Sequence, residues 1–204
     1  MIWFPTGGGK TEAYLGIASF SLFLERLNGE SNFGTSVIMR YTLRLLTSQQ
    51  FERASSLICS MEFIRGSQED ILGGQEFSIG IWVGDSTTPN TNEKSLKAFR
   101  EAQKKGNLEY KFLLQKCPWC GTKMGPERDG VSGSQKYKVK GFRKSGIGAL
   151  KKIICYCPND SCSFRDKLPL YLNDEDLYEF TPSLLIATVD KFAQLAWHPE
   201  ARSL

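Results

Sequence analysis

The N-terminal part of the chain carries an apolar and polar pattern that predicts a strand, a glycine loop and a helix. Residues 2–4 form a short apolar run that leads into the glycines at 7–9. Beyond the loop, apolar side chains continue at helical spacing to about Leu27, and residues 28–29, Asn-Gly, then end the helix. Strand, glycine loop and helix form the first half of a βαβ unit. The apolar positions of the helix are Tyr14, Ile17, Ala18, Leu22 and either Phe23 or Leu24.

Further along the chain, short apolar runs alternate with amphipathic segments. The runs at 37–39, 77–83 and 184–187 predict strands, and the segments at 42–65 and 190–197 predict helices. This alternation predicts an α/β fold with a mostly parallel sheet and helices on both faces.

A segment of different composition interrupts the α/β pattern. After a turn-rich exit at 87–92 the chain becomes basic and is punctuated by glycine and cysteine. We therefore predict three parts: the first part of an α/β domain at 1–89, a basic inserted module at 90–176, and a return to the α/β domain at 177–204.

The net charge of +4 is unevenly distributed. Residues 94–152 hold 16 Lys and Arg against 4 Asp and Glu, whereas the remainder holds 10 basic and 18 acidic residues. Aromatic side chains are interleaved with the basic ones, a composition expected where phosphates are neutralised and bases pack on rings. The alternative is a solvated charged face with no ligand. The interleaved aromatic residues are Tyr110, Phe112, Trp119, Tyr137 and Phe142.

Composition excludes several classes of protein. Hydrophobic residues make up 41% and charged residues 24%, as in a soluble globular domain. No apolar run approaches the ~18–20 residues that cross a bilayer, and the N-terminus lacks the pattern of a signal peptide. We expect a cytoplasmic protein without a membrane partner, whose six cysteines are free thiols or metal ligands and not disulfides.

Two cysteine pairs predict a zinc site. The two-residue spacing of the first pair lets both sulfurs face one ion, and the four-residue spacing of the second also closes a chelate. Cys155 could substitute for one ligand, Cys157, and Cys59 is predicted to be an inert core thiol. The alternative is a set of reduced cysteines with no metal. The predicted Zn²⁺ ligands are Cys117, Cys120, Cys157 and Cys162.

The glycine loop predicts a nucleotide site. A strand before it and a helix after it are the context of a phosphate-binding loop, in which backbone N–H groups and the helix N-terminus surround an anion. Lys10 would reach the β- and γ-phosphates of ATP, and the Thr11 hydroxyl would ligate Mg²⁺. The alternative is a glycine-rich turn without a ligand. The catalytic residues are therefore predicted to be Lys10 and Thr11, within a cofactor-binding set of Thr6, Gly7, Gly8, Gly9, Lys10, Thr11 and Glu12.

Two further segments resemble signatures of the superfamily 2 helicases. Arg44, with leucine two residues and Gln49 five residues later, matches a signature in which the arginine contacts the nucleic-acid backbone. The segment that starts at Thr188 and includes Lys191 resembles the next signature, with valine in place of the usual proline. The resemblance implies a partial RecA-like P-loop NTPase domain with a zinc-binding insertion. It also implies nucleic-acid contacts by Arg44, Gln49, Thr188 and Lys191, although each segment could instead be an ordinary helix start or helix surface.

Residues 4–16, 40–46 and 187–193 together resemble the helicase subunits of the DISARM bacteriophage-defence systems. The resemblance covers nearly the whole chain and implies an ATP-dependent helicase or translocase. The expected substrate is DNA in preference to RNA, with a protein subunit as a further partner. A neighbouring resemblance is to bacterial DNA-repair helicases that carry a cysteine-bound zinc.

A carboxylate pair that holds Mg²⁺ and activates water is expected in such an ATPase. Asp174 and Glu175 imitate this pair, but Pro169 is unsuited to a central strand and the pair precedes Thr188 instead of following it. We therefore expect the catalytic carboxylates and the second motor domain beyond Leu204, and an inactive chain in isolation. The alternative function is a non-enzymatic, zinc-containing nucleic-acid-binding module with a degenerate nucleotide loop.

Overall fold

The computed structural model describes residues 9–29, 34–42, 48–106, 112–129, 137–194, 197 and 199–204. Short 3-10 turns occur at Gly148–Leu150 and Pro199–Ser203. The helices are α1 (Lys10–Leu27), α2 (Ser48–Ser67), α3 (Glu69–Leu72), α4 (Asn92–Lys105), α5 (Asp174–Phe180) and α6 (Val189–Gln194). The strands are β1 (Val37–Tyr41), β2 (Ile79–Trp82), β3 (Gly125–Arg128), β4 (Tyr137–Lys140), β5 (Phe142–Ser145), β6 (Lys152–Cys155), β7 (Leu170–Tyr171) and β8 (Leu184–Thr188).

Four of these strands form one parallel sheet in the order β1-β8-β2-β7. Strand β8 lies between β1 and β2, so that Ile186 has Met39 as its neighbour on one side and Ile81 on the other. The predicted mixed α/β fold with a parallel sheet is therefore confirmed. The predicted helix end at residues 28–29 is also confirmed, because α1 stops at Leu27 and Asn28 follows as its C-cap.

The sheet has a buried core on each face because side chains alternate along its strands. Leu184 and Ile186 point to the face that is covered by α1 and α2, whereas Leu185 and Ala187 point to the face of α5 and α6. All five residues of β8 are buried. Helices thus cover both faces, as the alternation of strands and helices predicts.

The basic segment builds two small antiparallel sheets outside the parallel sheet, β3–β4 and β5–β6. Helix α4, capped by the Thr91 hydroxyl that accepts from the Lys94 N–H at 3.2 Å, packs against β4 and β6. Its buried residues belong to the same cluster as those of α1 and α2. Strand β7, at the end of this segment, joins the parallel sheet next to β2. The division at 90 and 176 remains a prediction.

Among the described residues, no helix has both the length and the apolar character needed to span a membrane.

A glycine in β2 allows α5 to pack closely on the sheet. A Cβ at Gly80 would lie 2.1 Å from Cδ2 of Leu177 and 2.8 Å from Cγ of Pro182. Gly80→Ala should therefore overpack this face and lower the free energy of unfolding by about 1–3 kcal/mol, measured by urea denaturation. The control is Gly16→Ala within α1, where a Cβ meets nothing within 4 Å. It should raise that free energy by about 0.5–1 kcal/mol, since alanine favours a helix interior. Equal stability of the two variants would contradict the packing analysis.

Candidate metal centre and nucleotide loop

The first two cysteines lie in a tight turn at the end of a short hairpin. The N–H of Cys117 donates to the carbonyl of Thr122 at 2.8 Å, and the N–H of Gly121 donates back to the carbonyl of Cys117 at 2.9 Å. Gly121 has φ +75°, a left-handed conformation that glycine adopts without strain. The turn therefore directs the thiols of Cys117 and Cys120 to the same side.

The second pair lies in a loop between β6 and β7. The N–H of Cys157 donates to the carbonyl of Phe164 at 2.9 Å, and the N–H of Cys162 donates to the carbonyl of Asn159 at 3.0 Å. These bonds fold the loop so that both thiols face the first pair.

The four thiols predicted from sequence are brought together in space. Their Sγ atoms all lie within 4.8 Å of one another, and those of Cys120 and Cys157 are 3.4 Å apart. Four sulfurs around one Zn²⁺ at about 2.3 Å are separated from each other by about 3.8 Å. The set is therefore compatible with a tetrahedral Zn²⁺ site made of four thiolates, namely Cys117, Cys120, Cys157 and Cys162.

Burial and hydrogen bonding act differently on these thiols. Burial raises the pKa of Cys117 and of Cys157. Burial also opposes ionisation of Cys120, but hydrogen bonds from the hydroxyl and the backbone N–H of Thr122 and from the neighbouring thiols lower its pKa to about 6. Cys120 is thus the thiol of this cluster that ionises most readily, and a metal ion would supply the positive charge that ionises the other thiols.

The two remaining cysteines lie outside this cluster. Cys155 is the last residue of β6, is buried, and has a pKa raised by desolvation. Its thiol is not among those that converge, so the structure gives no support to its replacing Cys157. Cys59 is a fully buried core residue of α2, and burial likewise raises the pKa of its thiol.

The cysteine turn packs against α2. The Ser56 hydroxyl donates to the carbonyl of Pro118 at 2.8 Å, and the Trp119 ring stacks on Phe63 with centroids 4.9 Å apart. A different pair of rings, Phe112 and Phe142, is buried and stacked at 4.8 Å. The prediction that the interleaved aromatic residues receive bases is therefore wrong for these two, because burial in the core uses their ring faces.

Part of the predicted nucleotide loop lies within the described residues. Gly9 has φ +74° and is followed by Lys10 and Thr11, which open the 18-residue helix α1 and are both half-buried. The next residue, Glu12, is exposed and accepts a hydrogen bond from the guanidinium of Arg53 in α2 at 2.5 Å. Thr6, Gly7 and Gly8 lie outside the described residues.

The predicted nucleic-acid contacts differ in their surroundings. Gln49 is exposed in the first turn of α2, whereas Thr188 is buried at the end of β8. Lys191 is 3% exposed, and its ammonium donates to a carboxylate oxygen of Asp174 at 2.5 Å. A contact of Lys191 with nucleic acid would therefore require this pair to open. Arg44 lies outside the described residues.

The Asp174–Glu175 pair has structural contacts in the first turn of α5. Asp174 holds Lys191, and a Glu175 oxygen accepts from the backbone N–H of Asn92 at 2.8 Å. The helix is capped by Asn173, whose side chain accepts from the N–H of Asp176 at 2.9 Å. These carboxylates hold α4, α5 and α6 together at the carboxyl edge of the sheet.

One residue and one contact that shape these sites escaped the sequence analysis. The residue is Thr122, and its position directly after Cys120-Gly121 could have identified it as a donor to the thiolate. The pairing of Asp174 with Lys191 has no local signal, since β8 separates the two residues along the chain.

The fold and the thiol cluster define a mixed α/β protein with a parallel sheet and a candidate four-thiolate metal centre. No protein-family model matches the chain. The chain is 40% identical over 217 aligned residues to the DISARM protein DrmA of Bacillus paralicheniformis. The alignment covers 100% of this chain and 18% of that relative. The predicted resemblance to a DISARM protein is therefore confirmed along the whole chain, which spans about a fifth of the relative's length.

Metal content tests the ligand set. In the full-length protein, Cys120→Ser should abolish retention of one zinc per chain after dialysis, because three thiolates hold the ion less tightly than four. Elemental analysis by plasma emission measures the bound zinc. The control is Cys155→Ala, which removes a buried thiol outside the cluster and should leave the zinc content unchanged. If Cys155→Ala loses zinc and Cys120→Ser retains it, the predicted ligand set is wrong.

Proposed function

We propose that the chain is part of the first RecA-like motor domain of an ATP-dependent DNA helicase or translocase that acts in bacterial defence against phage. The observation that carries the proposal is the sequence Gly-Lys-Thr at residues 9–11. It lies at the start of α1, in an α/β fold with a parallel sheet. The similarity to DrmA along the whole chain supports the assignment to a DISARM system. The proposed parts are the RecA-like domain at 1–89 and 177–204, with a zinc-binding insertion at 90–176.

The nucleotide site would consist of Thr6 to Glu12. The N–H groups at the start of α1 are free of helical partners and, with the positive end of the helix, favour the phosphates of ATP. Lys10 would neutralise charge at the β- and γ-phosphates, and the Thr11 hydroxyl would hold Mg²⁺. Glu12 would be the last residue of this site, and its ion pair with Arg53 connects the N-terminal end of α1 to α2.

Nucleic acid would be held by two parts of the chain. Arg44 and Gln49, with Thr188 and Lys191, would contact one strand, and the Lys191–Asp174 pair would open for that contact. The basic insertion would contact flanking DNA or a partner subunit. Bound Zn²⁺ would fix the insertion and carry no chemical step. A protein that acts on DNA in bacterial defence works in the cytoplasm, where reduced thiols are available as ligands.

The Lys10→Ala variant tests the proposed ATPase activity directly. In the full-length protein, Lys10→Ala should reduce DNA-stimulated ATP hydrolysis by at least about 100-fold, because the transferred phosphoryl loses its main cation. Phosphate release measured with a coupled colorimetric assay gives the rate. The control is Lys97→Ala on the exposed side of α4, which should keep the wild-type rate. Equal rates for Lys10→Ala and the wild type would overturn the nucleotide site.

The isolated 204-residue chain should hydrolyse ATP at a negligible rate, because no adjacent pair of carboxylates follows Thr188 in its sequence. The same phosphate assay, with and without DNA, measures this rate. Turnover by the isolated chain that Lys10→Ala abolishes would contradict the expectation.

The effect of ATP on DNA affinity, measured across a salt series, distinguishes the motor from a zinc-containing binding module. The motor predicts that DNA affinity depends on the bound nucleotide and that this dependence disappears in Lys10→Ala. The binding module instead predicts tight, ATP-independent binding that persists in this variant. Fluorescence anisotropy with labelled DNA measures both.

A further inference from the structure

Two lysines face each other at the base of the cysteine turn. Lys116 and Lys123 form an antiparallel bridge, and the hydrogen bonds on either side of them run from Cys117 N–H to Thr122 and from Met124 N–H to Gln115, each 2.8 Å long. Bonds that flank the pair in this way define a non-hydrogen-bonded position, at which opposing side chains lie closest, with Cβ atoms about 4.5–5.5 Å apart. Both lysines are exposed on the same face of the hairpin.

This arrangement concentrates positive charge at one point. Like charges directly opposite each other destabilise a strand pair, so the hairpin pays a small cost to hold both ammonium groups there. Glu52 of α2 lies 3.5 Å from the ammonium of Lys116 and offsets one charge. Lys123 has no ion pair within the part of the chain that the structure describes. Glu127 lies within electrostatic range of Lys123, but its carboxylate is paired with the ammonium of Lys140. An anion bound between Lys116 and Lys123 would relieve their repulsion.

Lys123 lines two adjacent depressions, which together are called the clamp groove. The larger, about 700 Å³ in volume, runs from the first turn of α2 at Ser48 and Gln49 to the two lysines. The smaller, about 340 Å³, is lined by Lys123, Lys138 and Lys140 and also by the carboxylates of Glu127 and Asp160. Because both depressions share residues 123–126, a strand that passes over Lys123 would reach from Gln49 to the β3–β4 hairpin.

We propose that this groove binds one nucleic-acid strand, with the ammonium groups of Lys116 and Lys123 as a clamp on consecutive backbone phosphates. The inference rests on the proposed nucleic-acid function and adds the residues and the path by which the insertion takes part. Phosphodiesters fit because they supply repeated single negative charges along a flexible chain, and lysine binds phosphate as a point charge. The thiol cluster is next to the clamp in sequence: Cys117 follows Lys116, so metal binding fixes the spacing of the two lysines.

The test is the salt dependence of binding to a labelled oligothymidylate by the zinc-loaded, full-length protein, without nucleotide. Each phosphate contact on a single strand contributes about 0.7 to the slope of log affinity against log salt, so Lys116→Gln with Lys123→Gln should reduce the slope by about 1.4. The affinity should fall on the order of 50-fold at about 50 mM salt, with the loss shrinking as salt rises. Replacing both lysines by arginine should restore the slope, since charge and reach are retained.

The control replaces two exposed lysines of α4, Lys94 and Lys97, by glutamine. These lie beside Asp85 and Glu101 in a depression of balanced charge, so their loss should leave the slope nearly unchanged. If the Lys116→Gln, Lys123→Gln variant binds with the affinity and the salt slope of the wild type, the clamp is rejected and the motor proposal stands. A wild-type protein without salt-dependent binding would reject both. Zinc content equal to that of the wild type excludes misfolding as the cause of a loss.

Discussion

The parallel sheet depends on β8, which is hydrogen-bonded on both sides. Strands β1 and β2 have no ladder with each other among the described residues, and β8 joins them although it follows both in sequence. All five of its residues are buried, so neither ladder can be replaced by water. An unpaired buried backbone group costs about 1–3 kcal/mol, and a displaced β8 would leave several in both neighbours. The long segment between β2 and β8 is therefore constrained to return the chain to the middle of the sheet, whatever else it does.

The cysteine cluster can hold together the segment before β8, which has little apolar surface to stabilise it. The segment before β8 is basic and builds only two small antiparallel sheets, which supply little apolar surface of their own. A structural zinc in small domains contributes about 10–16 kcal/mol, as much as the about 5–15 kcal/mol of net stability of an ordinary domain. Metal ligation at Cys117 and Cys162 would thus suffice to hold both halves of the segment together. Its apolar residues, such as Phe112 and Phe142, extend the core of the α/β part and form no separate one.

Local patterns predicted α1, α2 and α6 and strands β1, β2 and β8, because they report which face of a helix or strand is buried. The elements of the basic segment were not predicted. The strand at 184–187, the helix end at 28–29 and the grouping of the four cysteines follow from spacing alone. Strand order does not: the position of β8 between β1 and β2 depends on contacts that are distant in sequence. The same reason hid the roles of Phe112 and Lys191. Composition marked Phe112 as a stacking surface, and the helicase resemblance marked Lys191 as a nucleic-acid contact. Only tertiary packing shows that both side chains are buried.

Helix α2 contacts both the start of α1 and the cysteine turn, and its contacts with α1 differ in strength. Its ion pair with Glu12 is exposed, with 47% and 61% of the two side chains accessible, and such a pair contributes at most about 1 kcal/mol. By contrast, Leu22 of α1 and Phe51 and Ile58 of α2 are almost fully buried in one cluster. Burial of each such side chain contributes about 1.5–3 kcal/mol. A displacement of α1 would therefore be transmitted to α2 mainly through this packed core and only weakly through the ion pair. Since Ser56 and Phe63 on the same helix contact the cysteine turn, the core offers the stiffer path from the start of α1 to the four-cysteine cluster.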